Sequence, residues 1–252
     1  MAMENKELKI IKNSICICII VTQILVGFVG WEILDRIDDL EKKLLKQNTL
    51  ISNIDLPNNF NYAYDILHDY NKNIDTNTVI EITNVANYFN LSDNKKTFKL
   101  VLGQILLESK GNHLSSETNK VLTSSQGALG IGQIIPNSGY GYLVKYAKDL
   151  DRLKFKNLGC DDISFVFNDD LSKSKKVKQM KDWLCNKTNN IALWGFIMNK
   201  NIEICKGNVS NALIVYSSGI GGYRTFKDSG GNVKNHDYIV SINSKLNKNN
   251  GN

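Results

Sequence analysis

From Pro57 onward the apolar residues of this chain recur almost everywhere at helical spacing, and no stretch sustains the alternation a half-buried strand requires. The periodicity predicts helices near 60–72, 77–90, 94–109, 137–150, 171–184, 187–205, 209–217 and 235–247, with one short element around Ile163 to Phe167 left open. Only two prolines occur in 252 residues, and 42% of the chain is hydrophobic, enough for a packed core. These features predict an all-α domain over residues 57–247. Pro57 and the pair Asn58-Asn59 mark its beginning, and residues 248–252 read as a polar tail.

The N-terminal part has a different composition. From Asn13 to Trp31 run 19 consecutive uncharged residues, about the length that crosses a roughly 30 Å hydrocarbon layer as a helix. A cleavable signal peptide is the rival reading, but it calls for a shorter apolar run and a small-x-small cleavage site, of which Gly27 to Gly30 is a poor version. An uncleaved signal anchor over residues 1–34 is therefore expected. Lysines flank the run on both sides, so the positive-inside rule does not orient it by itself. Next come Ile33, Ile37, Leu40, Leu44, Gln47, Ile51 and Ile54, a heptad pattern broken once by Gln47. Residues 35–56 fit two readings equally: a short coiled coil that pairs two copies through residues 33–54, or a single amphipathic helix.

Charge is unevenly spread. Residues 1–56 hold seven Lys/Arg against eight Asp/Glu, or −1, so the net +6 of the chain leaves +7 on residues 57–252. A basic domain suits a polyanion, yet the densest basic run, Lys173, Lys175, Lys176, Lys178 and Lys181, lacks interleaved aromatics and reads as a solvated helix face. No nucleic-acid partner is expected. Cys160, Cys185 and Cys205 fit one disulfide plus a thiol as well as three buried thiols. With no CxxC pair and with His68, His113 and His236 scattered, neither a metal nor a cofactor is expected.

One carboxylate stands out. Behind Ser92, read as an N-cap, Phe98, Val101, Leu102, Ile105 and Leu106 form an apolar stripe. Glu108 extends that stripe instead of the wet face, where partial desolvation would hold it protonated, as a general acid needs. A glutamate frayed into solvent at a helix end explains the segment alone at least as well. Downstream, Ser125 to Pro136 is a glycine-rich turn in which Gln133 offers both a donor and an acceptor, and Pro136 opens a helix. It is not a phosphate loop, because no Lys-Ser/Thr follows the glycines. Tyr216 falls where a helix stops at Gly219, and Tyr238 begins a last amphipathic segment.

The order of these motifs is specific. Glu-Ser, Gly-Ala-x-Gly-Ile-x-Gln-Ile-x-Pro, Asn-Ile, Ala-Leu-x-x-Tyr-x-x-Gly and a late Tyr-Ile-Val resemble, over roughly residues 78–246, the soluble lytic transglycosylase family with its goose-type-lysozyme-like fold. The resemblance implies cleavage of the β-1,4 bond between N-acetylmuramic acid and N-acetylglucosamine in peptidoglycan, with Glu108, followed by Ser109, as the essential acid. It implies that Gly130, Ile131 and Gln133 contact sugar, that Tyr216 and Ser217 stand beside the glutamate, and that Tyr238 matches the late family tyrosine. Gly132 replaces the family methionine, Ser217 replaces an asparagine, and the stretch between Glu108 and Gln133 is several residues longer, with an extra loop near Glu117–Thr123. With no second carboxylate in the motifs, the sugar's own 2-acetamido group is expected to assist. The implied partner is the glycan strand; with the apolar run as anchor, the expected location is the inner membrane, single-pass, and the substrate puts the domain on the extracytoplasmic side. A hydrolysing muramidase, and a glycan-binding assembly factor of a secretion, conjugation or phage machine, are the alternative readings.

Overall fold

The computed structural model describes residues 56–247, which are all-α: nine α-helices, two short 3-10 turns and no strand among the described residues. In chain order the helices are α1 (Phe60–Tyr70), α2 (Thr76–Tyr88), α3 (Lys95–Ser109), α4 (Pro136–Tyr146), α5 (Asp149–Asn157), α6 (Lys173–Leu184), α7 (Lys187–Ile204), α8 (Val209–Asp228) and α9 (Asp237–Asn247). The anchor, the heptad segment with its pairing, and the tail 248–252 lie outside the described residues. Among the described residues, no helix is long and apolar enough to cross a membrane.

Short polar side chains start most of these helices. Asp75, Asn94, Asn186 and Asn208 each accept from free backbone N–H groups of the first turn, satisfying donors that the helix cannot. Asn94, not Ser92, caps α3. Ser92 is buried, and its hydroxyl donates to Asn87. The expected helix 137–150 is two helices, α4 and α5, and α5 escaped the periodicity because only Asp151 and Phe155 on it are buried while Leu150 and Leu153 face solvent. The element at Ile163 to Phe167 is a 3-10 turn, Ser164–Phe167. The helix expected to end at 217 continues as α8 to Asp228, broken at Gly219, where φ is 72° and ψ 169°.

Helix α7 is the centre of the domain. From Asn189 to Met198 every residue is buried, so it is apolar almost all round, as a helix enclosed by others must be. Helices α2, α4, α6 and α8 pack on it, and Trp194 and Phe196 supply its largest enclosed side chains. A second layer forms where α9 lies along α3 and both meet α8. Gly103 makes that approach so close that a Cβ there would sit 2.8 Å from Ile242 Cγ2 and 2.8 Å from Leu246 Cδ1. Gly103→Val is therefore expected to push α9 off α3 and to cost about 1–3 kcal/mol in denaturant unfolding; a variant as stable as the parent would show that α9 is not held there.

The basic run lies on α6, with Lys173, Lys175, Lys178 and Lys181 exposed but Lys176 buried, its stem packed inward and not part of a solvated face. Cys160, Cys185 and Cys205 are unbridged. Burial raises the Cys160 thiol to about 12, which makes it a poor nucleophile.

Candidate active site

Glu108 sits on the last turn of α3, just before Lys110 ends the helix in the left-handed conformation. The stripe behind it, Phe98, Val101, Leu102, Ile105 and Leu106, is fully enclosed, and Glu108 itself is half-buried at the edge of a cleft of about 640 Å³. Burial raises the carboxyl above its ordinary range, and a hydrogen bond donated by the Tyr238 hydroxyl to Oε1 partly opposes that rise. Tyr238 reaches it because α9 begins at Asp237 and lies against α3, the approach that Gly103 permits. Burial and the nearby Glu108 charge hold the Tyr238 phenol well above its usual value, so it stays a donor.

Tyr216, on α8, stands on the other side. Its hydroxyl donates to the Gly132 carbonyl at 2.5 Å, and burial followed by the Glu108 charge keeps it protonated as well. Gly132 is also held through its N–H, which donates to the enclosed Asn190 Oδ1 at 2.9 Å. The two peptide groups that flank Gly132 in the glycine-rich loop are thereby tied to helices. The next residue, Gln133, adopts a left-handed φ of 47° and lines the cleft. Its Nε2 donates to the Gly130 carbonyl at 2.8 Å, so Oε1 is the side-chain atom left for a ligand.

The structure brings Glu108, Gln133, Tyr216, Ser217 and Tyr238 to one cleft. It keeps Ser109, Gly130 and Ile131 out of the lining. Ser109 is buried, its hydroxyl donating to the Ile105 carbonyl and accepting from the Gly111 N–H, which finishes α3. Gly130 has a φ of 67°, and a Cβ on it would come within 2.6 Å of both Asn190 Nδ2 and His113 Nδ1. Ile131 is fully enclosed in the core. These three stand behind the lining of the cleft. Gly132, where the resemblance leads one to expect a larger residue, is closely packed: a Cβ there would be 3.0 Å from Trp194 Cβ and 3.3 Å from Asn190 Oδ1, so its neighbours would have to shift to admit one. The longer segment after Glu108 is pinned by isolated antiparallel bridges, Leu114 to Val121, Thr123 to Leu129 and Leu129 to Ile134.

Sequence reasoning missed Tyr142, Ser138 and Ser124 on the cleft wall, and it gave no site role to Ser125 and Gln126, which open the glycine-rich turn and line the cleft as well. The Tyr142 hydroxyl donates to Asn201 Oδ1 at 2.6 Å, and burial pushes its pKa up to about 12. The only available signal was the crowding of Tyr140, Tyr142 and Tyr146 on one short helix. Among the lining residues Glu108 is the single carboxylate, and none is Lys or Arg. Asp161 and Asp162 border a different cavity, where Asp161 Oδ2 accepts from Asn186 and Asn189. No group of three His, Cys, Asp or Glu is placed to hold a metal ion among the described residues.

This arrangement has a neutral wall of hydroxyls, amides and apolar side chains around one protonatable carboxyl. It can bind an uncharged polyhydroxylated chain and pass one proton to and from it. Compared with protein-family models, with curated proteins and with solved structures, the chain matches none.

Proposed function

We propose that the chain is a peptidoglycan lytic transglycosylase, tethered to the inner membrane by the apolar run 13–31, with residues 57–247 on the extracytoplasmic side. The observation that carries this reading is the half-buried Glu108, raised in pKa, alone as a carboxylate in a cleft whose other groups are neutral. The order of the motifs, which resembles the soluble lytic transglycosylase family, adds to it.

One carboxylate is too few for an ordinary glycosidase, which pairs two at about 5–5.5 Å or about 6.5–9.5 Å. Substrate assistance supplies the missing group. Glu108 gives its proton to the glycosidic oxygen as the bond from that oxygen to C1 of the muramic residue breaks. The carbonyl oxygen of the 2-acetamido group stabilises the positive centre at C1. Ionised Glu108, held by the Tyr238 hydroxyl, then takes the proton of the C6 hydroxyl. O6 bonds to C1 and releases the acetamido oxygen, and a 1,6-anhydro ring forms without consuming water. A cleft lacking Lys and Arg suits a neutral glycan better than nucleic acid, whose phosphates demand cations.

Digestion of purified sacculi by the full-length chain, with products read by mass, tests the reading. Anhydro-muropeptides are the expected outcome. Products carrying an added water would move the assignment to a hydrolysing muramidase, and binding without cleavage would move it to a glycan-binding assembly factor.

The pH dependence has a definite sign. A general acid works while protonated, so kcat/KM should fall as pH rises through the Glu108 pKa. Burial places that alkaline limb above about 4.3, the ordinary glutamate value. A limb at or below that value in a pH series would contradict the acid role.

A further inference from the structure

Gln104 lies one turn before Glu108 on α3 and is fully enclosed. Residues four apart share a helix face, so its side chain and that of Glu108 project to the same side. A carboxamide in such a place is unfavourable unless both its ends are used, and packing alone would be better served by leucine. Its Oε1 accepts from Trp194 Nε1 on α7 at 3.1 Å. An indole N–H can only donate, so the amide oxygen must face Trp194 and the NH₂ must point the other way. That buried Nε2 has no hydrogen-bond partner, and it lies near enough to the Tyr238 hydroxyl to oppose, in part, the rise in that phenol's pKa. The same hydroxyl donates to Glu108 Oε1.

We propose that Gln104 is a positioning residue: clamped by Trp194, it keeps an otherwise unpartnered amide N–H turned toward the Tyr238 oxygen and so aims the Tyr238 proton at Glu108. A hydroxyl that accepts one hydrogen bond donates a stronger one. The relay Trp194–Gln104–Tyr238 thus steadies Glu108 in its ionised form, the form that must wait to remove the C6 proton. This role rests on the reading of Glu108 as acid and then base, while its geometry stands without it. The other titratable groups near Glu108 are the hydroxyls of Tyr216 on α8 and Tyr142 on α4, and no Lys, Arg or second carboxylate lines the cleft.

The test is a direct titration of Glu108 in the full-length chain carrying ¹³C-labelled glutamate, its signal assigned by its loss in Glu108→Gln. Gln104→Met keeps the side-chain volume and removes both amide functions. It should raise the Glu108 pKa by roughly half a pH unit or more, because a hydrogen bond to the charged form is weakened. The alkaline limb of kcat/KM should move with it. Trp194→Phe frees the amide to invert and should shift Glu108 in the same direction by less. A merely structural Gln104 would lower Tm and leave the titration unmoved; that result in a folded Gln104→Met overturns the proposal. Should that variant not fold, an unmoved titration in Trp194→Phe overturns it instead. The titration needs no turnover, so a parent chain inactive on sacculi would defeat the proposed function and leave this inference to its own result.

Discussion

Glu108→Gln is expected to abolish anhydro-product formation and, at neutral pH, to make the domain more stable. General acid–base groups contribute about 10²–10⁴-fold each, and here one carboxyl serves in both directions. No other lining residue can replace it, since the remaining groups are hydroxyls, amides and apolar side chains, so a loss of about 10⁴-fold or more follows. Glycan binding should be nearly intact, because Gln has the same shape and still accepts from Tyr238. The stability change follows from linkage. Burial raises the Glu108 pKa in the folded state, so the neutral carboxyl's contribution is complete below the unfolded value of about 4.3 and is lost as pH rises through the folded pKa. Gln stays neutral throughout. Because the cleft is open to water, the gain should be modest, about 0.5–2 kcal/mol at neutral pH and vanishing in acid, by denaturant unfolding at several pH values. Retained turnover, or a stability difference indifferent to pH, would remove Glu108 from the centre of the site.

Local physics made much of the fold legible and little of the site's assembly. The stripe from Phe98 to Leu106 follows from spacing alone, and the structure encloses every member of it. Spacing also explains why Ser109 does not face the cleft. It stands one residue, about 100°, around the helix from Glu108, so membership of a motif does not imply a shared face. Helix α5 stayed hidden because Leu150 and Leu153 point into solvent, breaking the link between apolar periodicity and burial that the reading relies on. The contact between Tyr238 and Glu108 joins residues 130 positions apart and depends on Gly103 admitting α9, a tertiary fact that no window of sequence contains. Gln104 is an ordinary helix former by residue type, and only its bond to Trp194, 90 positions away, sets it apart. The isolated motifs carried chemistry; their convergence comes from packing.

Asn190→Leu should be the most damaging substitution at a residue that touches no ligand. Asn190 is fully enclosed on α7 and uses its whole carboxamide: Nδ2 donates to the Leu129 carbonyl at 2.9 Å and the Leu184 carbonyl at 3.2 Å, while Oδ1 accepts from the Gly132 N–H at 2.9 Å. Leucine has similar bulk but strands the buried Gly132 N–H and the Leu184 carbonyl, each worth about 1–3 kcal/mol when left unpaired, and leaves the Leu129 carbonyl only its bond from the Ile134 N–H. A loss of about 3–5 kcal/mol is expected, a large share of the roughly 5–15 kcal/mol that holds a domain folded. The neighbouring Asn189 is the control. It is equally enclosed, but it ties the backbone at Asp161 and the Trp183 carbonyl, away from the cleft. Asn189→Leu should cost similar stability while the folded fraction keeps its kcat. In Asn190→Leu the folded fraction should lose kcat as well, because the loop that presents Gln133 keeps only the Tyr216 hydroxyl as its anchor at Gly132. If the two variants lose activity equally per folded molecule, the register of the glycine-rich loop is not what the reaction depends on.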